Sequence, residues 1–336
     1  TLTLSGEPTG GNDGDFRAAA ASGEGGVLSI QGSASELGQT QDVSARRTRG
    51  LSITESRLSA AEGAEVALDG RLTARGPGVS LLIDDTTIAA ADAASVSMIG
   101  RGASNNGLAE QRTELRLLGL QGPQDRLTIE SSGALVISEL TLSGAVPDMR
   151  LRAVEIEIRD SVWTISPTPA STNRRFELRA AQDIAIADTT ISSSRPMDIT
   201  LSASTAGLGN IDIRDSAFTT GDGDVMLGGS WNGGGEGSST PFSGAVGHGE
   251  QGTGVSLSGV TVDAGSGEIR VRGLSQATQS HAVGVSIVGS TLTGGTIDIR
   301  GWASAASNSN KLGVQLQNST LTAGTSLSIE GEARSQ

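Results

Sequence analysis

Three stretches toward the end of the chain carry one pattern at one spacing, and that recurrence restricts the fold more than any other feature. Val255-Ser256-Leu257 leads on to Val262, Val285-Ser286-Ile287 to Leu292, and Val314-Gln315-Leu316 to Leu321. Val285 follows Val255 by 30 residues, and Val314 follows Val285 by 29. The same alternation recurs upstream from Ile211, Ile184, Ile156, Leu135, Leu115, Leu81 and Leu51, with a poorer copy near Phe16. A second short alternation, closed by a small residue, follows most copies: Ile269 to Gly273, Ile297 to Gly301, Leu327 to Gly331, Ile199 to Ala203 and Val66 to Gly70.

Apolar residues at every second position mark strands, and a repeat of about 30 residues marks a solenoid. One such unit cannot bury its apolar face alone. Copies must stack, each strand pairing in parallel with its equivalent roughly 4.8 Å away. The expected fold is therefore an all-β, parallel β-solenoid of about a dozen coils, one per recurrence, with variable loops on one face.

Within the first alternation, the first, third and eighth positions are expected to point inward, as at Ile211, Ile213 and Phe218. Trp163 takes an inward position as well. The fifth position holds Glu55, Asp85, Asp160, Asp188, Asp215 and Asn318, and the sixth holds Ser56, Thr86, Ser161, Thr189, Ser216, Ser290 and Ser319. An acid beside a hydroxyl at one point of every coil reads as a corner, where such side chains bond backbone N–H groups. The competing reading is a stacked acidic ladder holding calcium. Arg159 and Arg214 stand beside two of these acids, and the expectation is capping, with no metal.

Composition fits a thin core. The chain has 48 Gly, no Cys, no Tyr and 2% aromatic residues, so stacked Val, Ile, Leu and Ala must supply the interior. Absence of cysteine excludes a disulfide framework and Cys-based zinc modules. The net charge is −13, and Lys311 is the single lysine. Such a balance repels phosphate backbones, so no nucleic-acid partner is expected, and it keeps a long repetitive surface soluble. No apolar run approaches the ~20 residues of a membrane span. Residues 1–336 are expected to form a single repeat segment of a longer protein, because Thr1 to Gly6 and Leu327 to Gly331 both read as repeat interior.

Asn318-Ser319-Thr320-Leu321-Thr322-Ala323-Gly324 and Asp188-Thr189-Thr190-Ile191-Ser192-Ser193 resemble the haemagglutinin repeats of filamentous haemagglutinin and related two-partner-secreted exoproteins. Leu327 and Ile329 supply the later strand of that motif. The resemblance covers nearly the whole chain through degenerate copies. It implies a right-handed β-helix, exported through an outer-membrane transporter and displayed at the bacterial cell surface or released. That family's repeats are often near 20 residues. The steps from Leu115 to Leu135 and from Leu135 to Ile156 match it, whereas most steps here are longer.

Extra residues recur after the second alternation, and insertions repeated at one place map to one face of a solenoid, often the binding face. The longest expected loop spans 228–254 and contains Trp231 amid glycines. Trp231, His248, His281 and Trp302 are the candidate partner-contact residues; the bland alternative folds the two Trp rings back as caps over the coils. The expected partner is a host or bacterial surface receptor or a glycan. No catalytic residue and no cofactor is expected, because the acids are dispersed at corners and only two His exist. The functional expectation is an adhesin or exoprotein segment that mediates attachment or projects a distal domain. The stalk of a contact-dependent toxin-delivery protein is the first alternative, and a β-helical polysaccharide lyase or hydrolase the second.

Overall fold

The computed structural model describes residues 2–6, 27–34, 48–54, 57–60, 65–72, 78–90, 94–102, 111–121, 124–144, 148–166, 175–203, 208–229, 245–247, 252–276, 281–305 and 310–335. Among these residues every regular element is a strand and none is a helix. The chain divides into two compact units, Thr1–Val154 with Asp160–Ser171, and Glu155–Arg159 with Thr172–Gln336.

The first unit begins with β1 (Leu2–Gly6), β2 (Val27–Ala34), β3 (Thr48–Thr54), β4 (Arg57–Ala60), β5 (Glu65–Leu72) and β6 (Gly78–Ala90). It continues with β7 (Ala94–Gly102), β8 (Gln111–Gln121), β9 (Gln124–Ser131), β10 (Ala134–Ser138), β11 (Thr141–Gly144) and β12 (Asp148–Ala153). After β13 (Glu155–Arg159), which belongs to the second unit, β14 (Val162–Ile165) completes it. Its strands pair in parallel along the coil axis. β3 lies on β6 with Leu51 opposite Leu81 and Ile53 opposite Ile83. β5 lies on β7 with Val66 opposite Val96, Leu68 opposite Met98 and Gly70 opposite Gly100. Equivalent apolar residues thus meet directly, and Val66, Leu68, Leu81, Ile83, Val96 and Met98 are all buried. Trp163 on β14 is fully buried, as its inward position requires.

The second unit adds β15 (Arg175–Ala180), β16 (Ile184–Ala187), β17 (Thr190–Ser193), β18 (Asp198–Ser202), β19 (Ile211–Arg214), β20 (Ala217–Thr219), β21 (Val225–Gly228) and β22 (Ala245–Gly247). Then come β23 (Thr253–Ser258), β24 (Thr261–Asp263), β25 (Glu268–Ser275), β26 (His281–Val288), β27 (Thr291–Ala305), β28 (Asn310–Gln317) and β29 (Thr320–Ser335). One column runs Ile158, Ile186, Ile213, Leu257, Ile287, Leu316, each residue opposite the next. The first five members are buried, as the alternation demands, whereas Leu316 is 42% exposed because no described strand lies beyond β28. A second column runs Phe176, Ile199, Val225, Ile269, Ile297 and Leu327.

The strands therefore stack as a parallel β-solenoid, but of about seven turns, not about a dozen. The copy near Phe16 lies outside the described residues, and β1 stacks on β2 through a single strand. The stretch 228–254, expected to be loop, contributes β22, which pairs with β25, and the first residues of β23.

The corners follow one rule. At the fifth position Asp160, Asp188, Asp215 and Asn318 adopt φ between 45° and 51°, and Glu139 a similar 56°. Gly259 and Gly289 take the same conformation at 66° and 58°. A left-handed residue turns the chain tightly, and Asp, Asn and Gly tolerate it best. The hydroxyl that follows then joins neighbouring coils. Ser216 Oγ accepts the Thr189 N–H at 3.1 Å and donates to the Arg214 carbonyl at 2.6 Å. Ser290 Oγ accepts from Val260 N–H at 3.0 Å and donates to Val288 O at 2.9 Å, and Ser319 repeats both bonds with Ser290 N–H and Gln317 O. In the first unit Ser161 Oγ accepts from Leu140 N–H.

Candidate functional surface

The outer face of β25, β27 and β29 combines charge, an aromatic ring and regular spacing. Side chains on alternate positions face outward, about 6.8 Å apart along a strand and about 4.8 Å apart between coils. Glu268, Arg270, Arg272 and Leu274 form the row on β25, and Thr296, Asp298, Arg300 and Trp302 lie opposite them on β27. Ser326, Ser328, Glu330 and Glu332 continue the same columns on β29.

Ion pairs connect these rows. Arg272 Nη2 stands 2.6 Å from Asp298 Oδ2, and Arg300 Nε lies 3.4 Å from both Asp298 Oδ1 and Glu330 Oε2. Arg270 makes a bidentate contact with Glu268 on its own strand, with Nη2 2.9 Å from each carboxylate oxygen. Burial pushes the Asp298 carboxyl up, but the Arg272 hydrogen bond and the charges of Arg272, Arg300 and Arg270 outweigh it, holding the group below the usual carboxylate range. The result is a fixed pattern of guanidinium and carboxylate groups, with half-buried Trp302 at the end of the β27 row.

Trp302 sits opposite Leu274 below and Glu332 above. His281 opens β26, opposite Asn310 on β28. A side chain at Gly284 on β26 would run into the Trp302 backbone nitrogen of β27, so the two strands pass close there, and His281 is three residues upstream of Gly284, about 10 Å of extended chain. Trp231 and His248 lie outside the described residues.

Four acidic residues elsewhere in the second unit, Asp183, Asp198, Asp222 and Asp224, are engaged with backbone. Asp198 Oδ1 accepts the Asp224 N–H at 3.0 Å, and Asp224 Oδ1 accepts the Glu268 N–H at 2.7 Å. Asp222 Oδ1 accepts from Ser266 N–H and Asp183 Oδ1 from Asn210 N–H, both at 2.8 Å. These second-corner bonds and the ion-pair columns escaped the sequence reading. Their signal was present in Arg270, Arg272, Asp298, Arg300 and Glu330 at the polar positions of the second alternation. It becomes visible only when successive copies are aligned as neighbours. Among the described residues no group of three or more His, Cys, Asp or Glu is placed to hold a metal ion.

No family model, curated protein or solved structure matches the chain.

Proposed function

We propose that this chain is a binding segment of a secreted or surface-displayed exoprotein of the haemagglutinin-repeat type, with right-handed coils and export through an outer-membrane transporter. The observation that carries this reading is the outer face of β25, β27 and β29, where a preset array of Arg, Asp and Glu borders Trp302. Rigid strands hold the groups in place, so binding orders few side chains, and an aromatic ring beside charged hydrogen-bonding groups suits a glycan or a polar protein surface. The ligand expected is a surface polysaccharide or receptor glycan.

Binding is favoured over catalysis because the carboxylates of this face and of the second corners are largely engaged. Those at the second corners accept backbone N–H groups, and Glu268, Asp298 and Glu330 on the outer face are paired with Arg. A carboxylate so held is poorly placed to act as a general acid or base toward a sugar.

The test is an array of purified polysaccharides and receptor glycans probed with the parent chain and with Trp302→Ala. Retention of one glycan class by the parent, weakened at least tenfold in the variant, supports the reading. Accumulation of reducing ends or unsaturated sugars during incubation would replace it with a lyase or hydrolase, and equal retention by both proteins would move the contact surface elsewhere.

A further inference from the structure

We propose that the ligand of this face is an uncharged sugar chain, lying flat on a column of Val246, Leu274 and Trp302; the inference rests on the reading of β25, β27 and β29 as the contact surface. Val246 on β22 stands opposite Leu274 on β25, and Leu274 stands opposite Trp302 on β27. All three are half-buried at outward positions. The other outward positions of β25, β27 and β29 hold charged or hydroxyl-bearing residues, so this column is an apolar strip two coil steps long, about 10 Å. The strip is fixed from beneath. A Cβ at Gly254 on β23 would run into the Leu274 backbone nitrogen, one at Gly284 on β26 into that of Trp302, and one at Gly273 into the Gly284 carbonyl oxygen. Backbone therefore packs directly on backbone there. β22 is held on its other side as well, by paired hydrogen bonds of 2.9 and 2.7 Å between the Gly209 and Val246 backbones. A platform so constrained orders little on binding.

Charge decides the class of sugar. The column beside the strip is Arg272, Arg300 and Glu330. Arg272 is tied to Asp298, Arg300 to Asp298 and Glu330, and Arg270 to Glu268, while Glu332 stands opposite Trp302 at the end of the strip. The guanidinium groups of this face are thus matched by its carboxylates, with Glu332 in addition. A sulfate or uronate would have to take an Arg from its carboxylate and would then meet the acid it displaced. An uncharged sugar requires neither. Its hydroxyls accept hydrogen bonds from the Nη groups of Arg300, which meets both of its carboxylates through Nε, and its C–H face covers Trp302 and Leu274.

Titration calorimetry on the full chain tests this with glucan, mannan, galactan and chitin oligosaccharides, each in its neutral form and with its primary hydroxyls oxidised to carboxylates. At least one neutral form should bind, and its oxidised counterpart should bind about tenfold more weakly. Leu274→Ser should weaken binding of the neutral form about fivefold, because part of the apolar strip is lost. Thr219→Ala, at an exposed position on β20 outside this face, should bind like the parent. Circular dichroism identifies any variant that fails to fold, and Leu274→Thr then replaces Leu274→Ser. Equal or tighter binding of an oxidised form that Trp302→Ala still weakens would overturn the choice of an uncharged chain and leave the contact surface where it is. Binding sensitive to Trp302→Ala but not to Leu274→Ser would overturn the column. Failure of every oligosaccharide, neutral and oxidised, to bind would remove the contact-surface reading and this inference with it.

Discussion

Ser290 lies 2% exposed at a corner of the second unit, its hydroxyl joined to the Val260 N–H of one coil and the Val288 carbonyl of its own. Removing the oxygen leaves a buried donor without its partner, which costs about 1–3 kcal/mol. Ser290→Ala should therefore lower the free energy of unfolding by that amount in urea melts, whereas Thr291→Ala, exposed at the next position, should change it by less than about 0.5 kcal/mol. The corner was legible in the sequence because its conformation admits few residue types. Asp188, Asp215 and Asn318 tolerate a positive φ, and a hydroxyl follows each of them. Gly259 and Gly289 break the acidic pattern in letters while obeying the same backbone rule, so reading the acids as a charge motif hides part of the series.

At the scale of the strands, β27 owes part of its outer-face order to Asp298. Its carboxyl is held below the ordinary range, so its contribution is present above the unfolded value of about 3.9 and disappears as pH falls through the lower native value. Thermal melts from about pH 5 down to about pH 2 should show falling stability. The Asp298→Asn variant should begin less stable and lose less over the same interval, because it has no carboxyl to protonate; parallel curves for the two proteins would count against the ion-pair columns as the source. The strands themselves were readable from alternation alone, since Ile211, Ile213 and Phe218 are all fully buried. The Arg272–Asp298–Arg300–Glu330 column was not, because it depends on which residues of separate coils are opposite. Residues Ala245–Gly247 likewise read as part of a glycine-rich loop, and only their pairing with β25 makes them a strand.

Across the molecule, stability is a sum over neighbouring coils, because each strand meets only its equivalents above and below. Ile213→Asp places an unpaired charge in a narrow apolar interior between Ile186 and Leu257, a cost on the order of several kcal/mol. Asp212→Ala, one residue away, loses an ion pair with the exposed Arg214 and should cost no more than about 1 kcal/mol. Hydrogen exchange should show the first lesion opening β16, β19 and β23 while β27 and β29 retain their protection. Uniform loss of protection throughout the second unit would mean that its coils unfold as one cooperative block.

The corner bonds also have a consequence for how such a chain varies in length over evolutionary time. Each corner hydroxyl bonds within its own coil or to the adjacent one, and the apolar positions of the strands paired with β16 match those of the strands paired with β19. Deleting residues 184–210 would bring Ile211 to the place of Ile184 and Ser216 to that of Thr189, leaving a stack one storey shorter with matching surfaces on both sides of the join. Whole coils can thus be gained or lost by unequal exchange between repeats without passing through an unfoldable intermediate. Genes that encode this architecture should differ among relatives in multiples of a coil, while the residues at each corner keep their chemistry.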